Sequence, residues 1–329
     1  MIPENMLADG AWLPLVFGGL MGLAILIYVV LDGYDLGVGM LMTRASDQHK
    51  DMMIASIGPF WDANETWLVL GGGLLLVAFP IAHGTILTAL YLPVALMLLG
   101  LILRGVSFDF RAKAGDDHKK RWDRTFAAGS LLASLAQGYM LGMYIMGFER
   151  TWPAVGFSLL AGACLASGYA FIGACWLIWR TEGELQRRSV KWAKRFLLWT
   201  ALGLALVSIV TPLVNERIFE KWFQIPELML LAPVPLAPGF LLLLLYFNLR
   251  RQPHGDGHHE WVPFAAAIGV FALAFVGLAY SFFPYVVPEK MTLWDAASAP
   301  ESLMIILAGA LFVLPCIMGY TVYSSWVFR

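Results

Sequence analysis

Long apolar runs constrain this chain more than any other feature. A helix needs about 20 mostly apolar residues to cross the hydrocarbon core of a bilayer. About nine such runs follow one another here, at residues 12–31, 61–79, 84–103, 126–146, 154–179, 196–213, 228–247, 262–283 and 303–327. Backbone polar groups in lipid must be satisfied within the segment, so the runs must be helices. With 59% hydrophobic residues, 14% charged residues and a mean hydropathy of +0.70, no soluble domain is in question. The expected class is an all-α polytopic membrane protein.

Three runs carry local detail. The second and third are separated only by Pro80-Ile81-Ala82-His83, which predicts a tight hairpin. The seventh contains Pro233, Pro235 and Pro238, so it is broken, kinked or starts late. Packing favours bundles of about four helices. A cut near Arg150 then gives a first bundle over 1–150 and a second unit over 151–329.

Basic residues orient the chain. With the N-terminus outside and nine alternating spans, eighteen of the 22 Lys and Arg residues fall on the inner side. That is the expected cytoplasmic bias. The reading is N-terminus periplasmic and C-terminus cytoplasmic, and the first helix is retained because residues 1–10 lack a basic signal-peptide start. Tryptophans at run ends, among them Trp12, Trp61, Trp152, Trp179, Trp261 and Trp326, form an aromatic belt. No basic stripe with interleaved aromatics points to nucleic acid.

The chemistry concentrates in two stretches. Asp32-Gly33-Tyr34-Asp35-Leu36-Gly37-Val38-Gly39 closes the first run, and Trp61-Asp62-Ala63-Asn64-Glu65-Thr66-Trp67 opens the second. Carboxylates at membrane depth are expensive and mark ion or proton routes by default. On a helix starting at Trp61, Asp62 and Glu65 share a face, and Asn64 and Trp67 share the next. A plainer reading stays open. Asp62 suits a helix N-terminus, and Asp32 and Asp35 read equally as loop carboxylates, with Gly33, Gly37 and Gly39 making turns or close helix contacts. Arg104 ends the third run, with Asp109 and Arg111 close behind. It either pairs with one of these carboxylates or snorkels to lipid phosphates.

The six histidines are His49, His83, His118, His254, His258 and His259, none in the middle of a predicted span. A bis-histidine haem inside the membrane is therefore not expected of this chain. The segment from His254 to His259 reads as a Gly-rich loop or, less simply, a metal site. Cys164, Cys175 and Cys316 lie in apolar runs, and Cys164 and Cys175 stand too far apart on one helix to pair. No metal ligand set is proposed.

These residues resemble subunit II of the cytochrome bd-type quinol oxidases. The first stretch above, then Trp61 to Leu68, Arg104 to Arg111 and Met291 to Ala296 carry the likeness, and the Asn-Glu-Thr-Trp form is similar to the cyanide-insensitive branch. The resemblance implies nine helices in two four-helix bundles plus a peripheral helix. It implies a complex that oxidises quinol and reduces dioxygen to water. In that family subunit I, the pseudo-twofold partner, carries two b-type haems and a d-type haem or b-type substitute, and subunit II carries no redox haem. The family's cytoplasmic proton path maps onto Asp32, Asp35 and Asp62, with Glu65 a weaker match. Trp61, Asn64, Trp67, Arg104 and Asp109 are supporting positions, and no residue is expected to be catalytic in this chain alone. The resemblance leaves open a structural quinone and a small single-helix third subunit. It places the protein in a bacterial inner membrane among lipids. The alternative is a secondary transporter using the acidic cluster as a cation site, although only the seventh run looks broken, with no counterpart in the first half.

Overall fold

The computed structural model describes residues 10–224, 232–252 and 259–327. It is 87% helical. The helices are α1 (Leu13–Leu41), α2 (Asp47–Ile57), α3 (Trp61–Ala78), α4 (Pro80–Lys113), α5 (Asp116–Ile145) and α6 (Trp152–Arg180). They continue as α7 (Gly183–Val214), α8 (Glu216–Phe223), α9 (Pro233–Arg251), α10 (Val262–Phe282), α11 (Leu293–Ala296) and α12 (Pro300–Val327). A short antiparallel pair, β1 (Tyr285–Val287) with β2 (Met291–Thr292), precedes α11.

Each predicted run falls on a helix. Seven described helices are long and apolar enough to cross a membrane. The other two that match predicted runs, α3 and α5, are helical but less apolar. Asp62, Asn64, Glu65 and Gly71-Gly72-Gly73 dilute α3, and Ser, Gly and Gln residues dilute α5. Of the seventh run, residues 228–231 lie outside the described residues; α9 covers the rest from Pro233, where a missing N–H is tolerated, and holds Pro238 inside it.

Local chemistry sets the ends. Phe79 alone separates α3 from α4, and Pro80 opens α4. Inside α4, Leu90 is non-helical (φ −111°, ψ 16°). Pro93 follows three residues on and cannot donate to the carbonyl one turn back, which kinks the helix there. Thr151 caps α6, accepting from the Ala154 N–H at 3.4 Å. Gly147 at φ +64° ends α5, and the Phe148 N–H reaches back to the Met143 carbonyl at 2.8 Å. Asp295 and Thr292 form a reciprocal capping box on α11, and those hydrogen bonds hold the Asp295 carboxyl below its usual range.

The chain divides into two compact units. One holds the described residues up to Leu31, then Ile57–Ala89, then everything from Phe282. Its core includes Ala24, Tyr28 and Trp67, flanked by Leu31, Leu68 and Leu70. Trp294 donates to the Ala11 carbonyl at 2.8 Å, and the Ser298 hydroxyl to the Val77 carbonyl at 2.7 Å, tying α12's approach to α1 and α3.

The other unit holds Asp32–Ser56 and Leu90–Ser281. Here small residues let backbones touch. A Cβ on Gly138 would stand 2.6 Å from the Gly162 Cα, and one on Gly142 would stand 2.5 Å from the Ser158 Cα, so α5 crosses α6 without side chains between them. A Cβ on Gly37 would overlap the Tyr169 carbonyl oxygen, fixing α1 against α6 in the same way. Cys164, Cys175 and Cys316 are all free thiols.

Candidate functional site

The first acidic stretch is helical throughout. α1 continues through it to Leu41, so Asp32 sits about two and a half turns before the helix end. Asp32 and Asp35 are therefore not loop carboxylates, and Gly33 and Gly37 are close contacts, not turns. The Tyr169 ring covers Gly33, 2.7 Å from where a Cβ would be. Both carboxylates are fully buried, at 0% exposure.

Arg104 resolves its two alternatives by pairing. Its Nη1 donates to Asp32 Oδ1 at 2.5 Å, with the arginine 1% exposed. At an effective dielectric constant near 20 the gross attraction is on the order of 6 kcal/mol. Desolvation consumes several kcal/mol per ion, so the net contribution is small while the cost of breaking the pair is large. Asp32 Oδ2 is buried and makes no hydrogen bond among the described residues. Beside the pair, the Tyr169 hydroxyl donates to Gln137 Oε1 at 2.7 Å.

A second charged layer lies one helical repeat further along α4. Arg104 and Arg111 are seven residues apart and share a face. Arg111 Nε donates to Asp123 at 2.5 Å, and its Nη2 lies 2.8 Å from Asp51. Lys50 Nζ bridges Asp47 at 2.8 Å and Asp123 at 3.3 Å. Burial works against the Lys50 charge, but the Asp47 hydrogen bond and the Asp123 charge outweigh it and raise its pKa above the ordinary lysine value. Arg111 and Asp123 lie between the predicted runs, which end at 103 and resume at 126. The signal missed there was the seven-residue spacing from Arg104. Asp109, between the two arginines, is exposed and belongs to neither layer.

The other acidic stretch belongs to the first unit. Asp62 is exposed in the first turn of α3, and Glu65 and Trp61 are half-buried. Asn64 is buried, and its Nδ2 approaches the Leu31 carbonyl at 3.5 Å. Trp67 packs against Tyr28 and Ala24. Thus Asn64 and Trp67 turn inward while Asp62 turns outward, as their helical spacing requires.

Among the described residues no three His, Cys, Asp or Glu side chains converge on a metal position. His49, His83, His118 and His259 are each half-buried or exposed, so none offers an axial ligand from a bundle core. His254 and His258 lie outside the described residues.

The fold and site define a polytopic helical membrane protein with paired charges buried along one helix. The sequence pattern of the family described as cytochrome bd terminal oxidase subunit II matches residues 13–328. The chain belongs to that family. It is 29% identical over 330 residues to cytochrome bd ubiquinol oxidase subunit 2 of Bacillus subtilis, covering 92% of this chain and 91% of that protein. It is 28% identical over 357 residues to cytochrome bd-I ubiquinol oxidase subunit 2 of Escherichia coli K12, covering 93% and 92%. Its fold matches a chain of the bd oxidase from Geobacillus thermodenitrificans with a TM-score of 0.77, at 18% identity over 97% of this chain and 99% of that one. A subunit of this family implies a subunit I partner and a haem-containing complex.

Proposed function

We propose that this chain is the haem-free subunit of a quinol:oxygen oxidoreductase, packed against a haem-bearing subunit I, and that it supplies part of a proton-uptake path. The complex transfers electrons from quinol to dioxygen and forms water. Protons for that reduction enter from the cytoplasmic face through Asp62 and Glu65 on α3 and through Asp32 and Asp35 on α1. We adopt the topology with a periplasmic N-terminus and cytoplasmic C-terminus, and a division of the helices into bundles at 150/151 with α12 peripheral. Family membership favours the oxidase over a cation transporter.

The observation that supports the reading most directly is Asp32. It is a fully buried carboxylate within a membrane helix, with one oxygen held by Arg104 and the other without a hydrogen bond among the described residues. Such groups are retained at membrane depth for ion or proton movement. Arg104 keeps Asp32 oriented, and the open oxygen is where a proton would be accepted and released.

The test replaces Asp62 with Asn in the assembled complex. Asp62 is exposed, so the substitution leaves the packing of α3 in place. Oxygen consumption is expected to fall, with a shifted pH–rate profile, at unchanged haem content. Wild-type turnover across the pH range would remove Asp62 from the path.

A further inference from the structure

Beside the second charged layer lies a cavity of about 230 Å³, lined by Met42, Thr43, Lys50, Lys120, Asp123 and Arg124. That volume is several times a water's share of about 30 Å³. Three cations and one carboxylate line it, and the carboxylate is already engaged: Arg111 takes Asp123 Oδ1 and Lys50 takes Oδ2. Among the described residues Lys120 approaches Asp47, at 3.6 Å between two well-exposed side chains, an interaction of little worth. Arg124 makes no ion pair among the described residues. Among the described residues the lining therefore carries more cations than carboxylates, with Arg124 the cation that makes no ion pair.

The depth of the cavity selects the ligand. Met42 follows the apolar body of α1, and Arg124 comes just before the apolar run that starts at Phe126. Next to Asp123, Trp122 stacks on the exposed Phe110 at 5.3 Å, an aromatic pair of the kind that settles at headgroup level. We propose that this cavity seats the phosphate of an anionic phospholipid, with Arg124 and Lys120 on the phosphate oxygens and Lys50 behind them. The acyl chains run back along the apolar surface. Basic pockets at helix ends recognise anionic headgroups by this combination of charge and depth.

The experiment uses the complex purified with its partner subunit and native mass spectrometry. Wild-type complex is titrated with phosphatidylglycerol, with phosphatidylcholine, and with phosphatidylglycerol plus millimolar inorganic phosphate. The expected result is one preferentially retained phosphatidylglycerol. Its apparent affinity drops about tenfold or more in Lys120→Gln/Arg124→Gln, and by a smaller factor in Arg124→Gln alone. Both variants alter exposed side chains, and haem content and melting midpoint verify that they assemble. Equal retention of phosphatidylcholine, or undiminished phosphatidylglycerol binding in the double variant, overturns the proposal. Displacement by inorganic phosphate also overturns it, by assigning the cavity to a free anion.

Discussion

Replacing Asp32 with Asn tests the physics of the buried pair. The amide keeps the shape of the side chain and removes its charge. Arg104 is 1% exposed and cannot shed its proton, so it stays charged while losing its 2.5 Å contact with the Asp32 carboxylate. Breaking a buried pair in this way costs about 3–5 kcal/mol. The reverse change, Arg104→Met, leaves Asp32 alone, but a carboxylate can neutralise itself by binding a proton. Arg104→Met should therefore destabilise less than Asp32→Asn. The double variant should be more stable than Asp32→Asn alone, because the buried cation is gone. Thermal melting of the purified complex, followed with a thiol-reactive dye, reads these differences. Cys175 is fully buried in α6 and labels only on unfolding. At roughly 2 °C per kcal/mol, Asp32→Asn should lower the midpoint by about 5–10 °C. Additive single effects, or a variant with Asn at 32 that melts like wild type, would refute the account of Arg104 as a buried cation held by Asp32.

Other expectations follow from packing and charge. Gly37→Ala should destabilise by about 1–3 kcal/mol or block assembly, because the new methyl meets the Tyr169 carbonyl, whereas Gly156→Ala, with nothing within 4 Å, should be neutral or slightly stabilising in the same melting assay. Lys221 on α8 donates to the Tyr280 carbonyl at 2.7 Å and lies 4.1 Å from that ring, yet burial and, secondarily, the Arg217 charge lower its pKa to about 8. The unfolded chain then holds the extra proton between about pH 8 and the ordinary lysine value of 10.5, so stability should rise with pH across that window. Lys221→Met should flatten that slope; an unchanged slope would assign it to other groups. Asp123→Asn should loosen Arg111 and Lys50 together, seen as faster proteolysis between α4 and α5, and a digestion rate equal to wild type would count against the network.

The apolar spans were legible because lipid demands a continuous hydrophobic length, and that demand writes itself into the composition of each run. What lay beyond the runs was not. Helices α1, α4 and α5 continue past their apolar parts as charged helix, and hydropathy stops where the charges begin. Thus Arg111 and Asp123 fall between the predicted runs, although one is 6% and the other 5% exposed. Only a helical period imposed across that interval, from Arg104 to Arg111, would have brought them inward. The Asp32–Arg104 pair was half legible: the residue types and their depth were visible, but 72 residues of separation hide a partner. The inward turn of Asn64 and Trp67 followed from their spacing on α3, because a three-residue step keeps two side chains on one face.

That same separation has a consequence for biogenesis. The ribosome delivers Asp32 to the insertion machinery long before it has made Arg104. Residues 13–31 are apolar enough to cross alone, so the early chain is inserted with its carboxylate still near the aqueous boundary. The inner end of α1 reaches its buried position only when the arginine-bearing segment arrives to pair with it. Final seating of the earliest part of the polypeptide is in this way conditional on successful translation of a much later part.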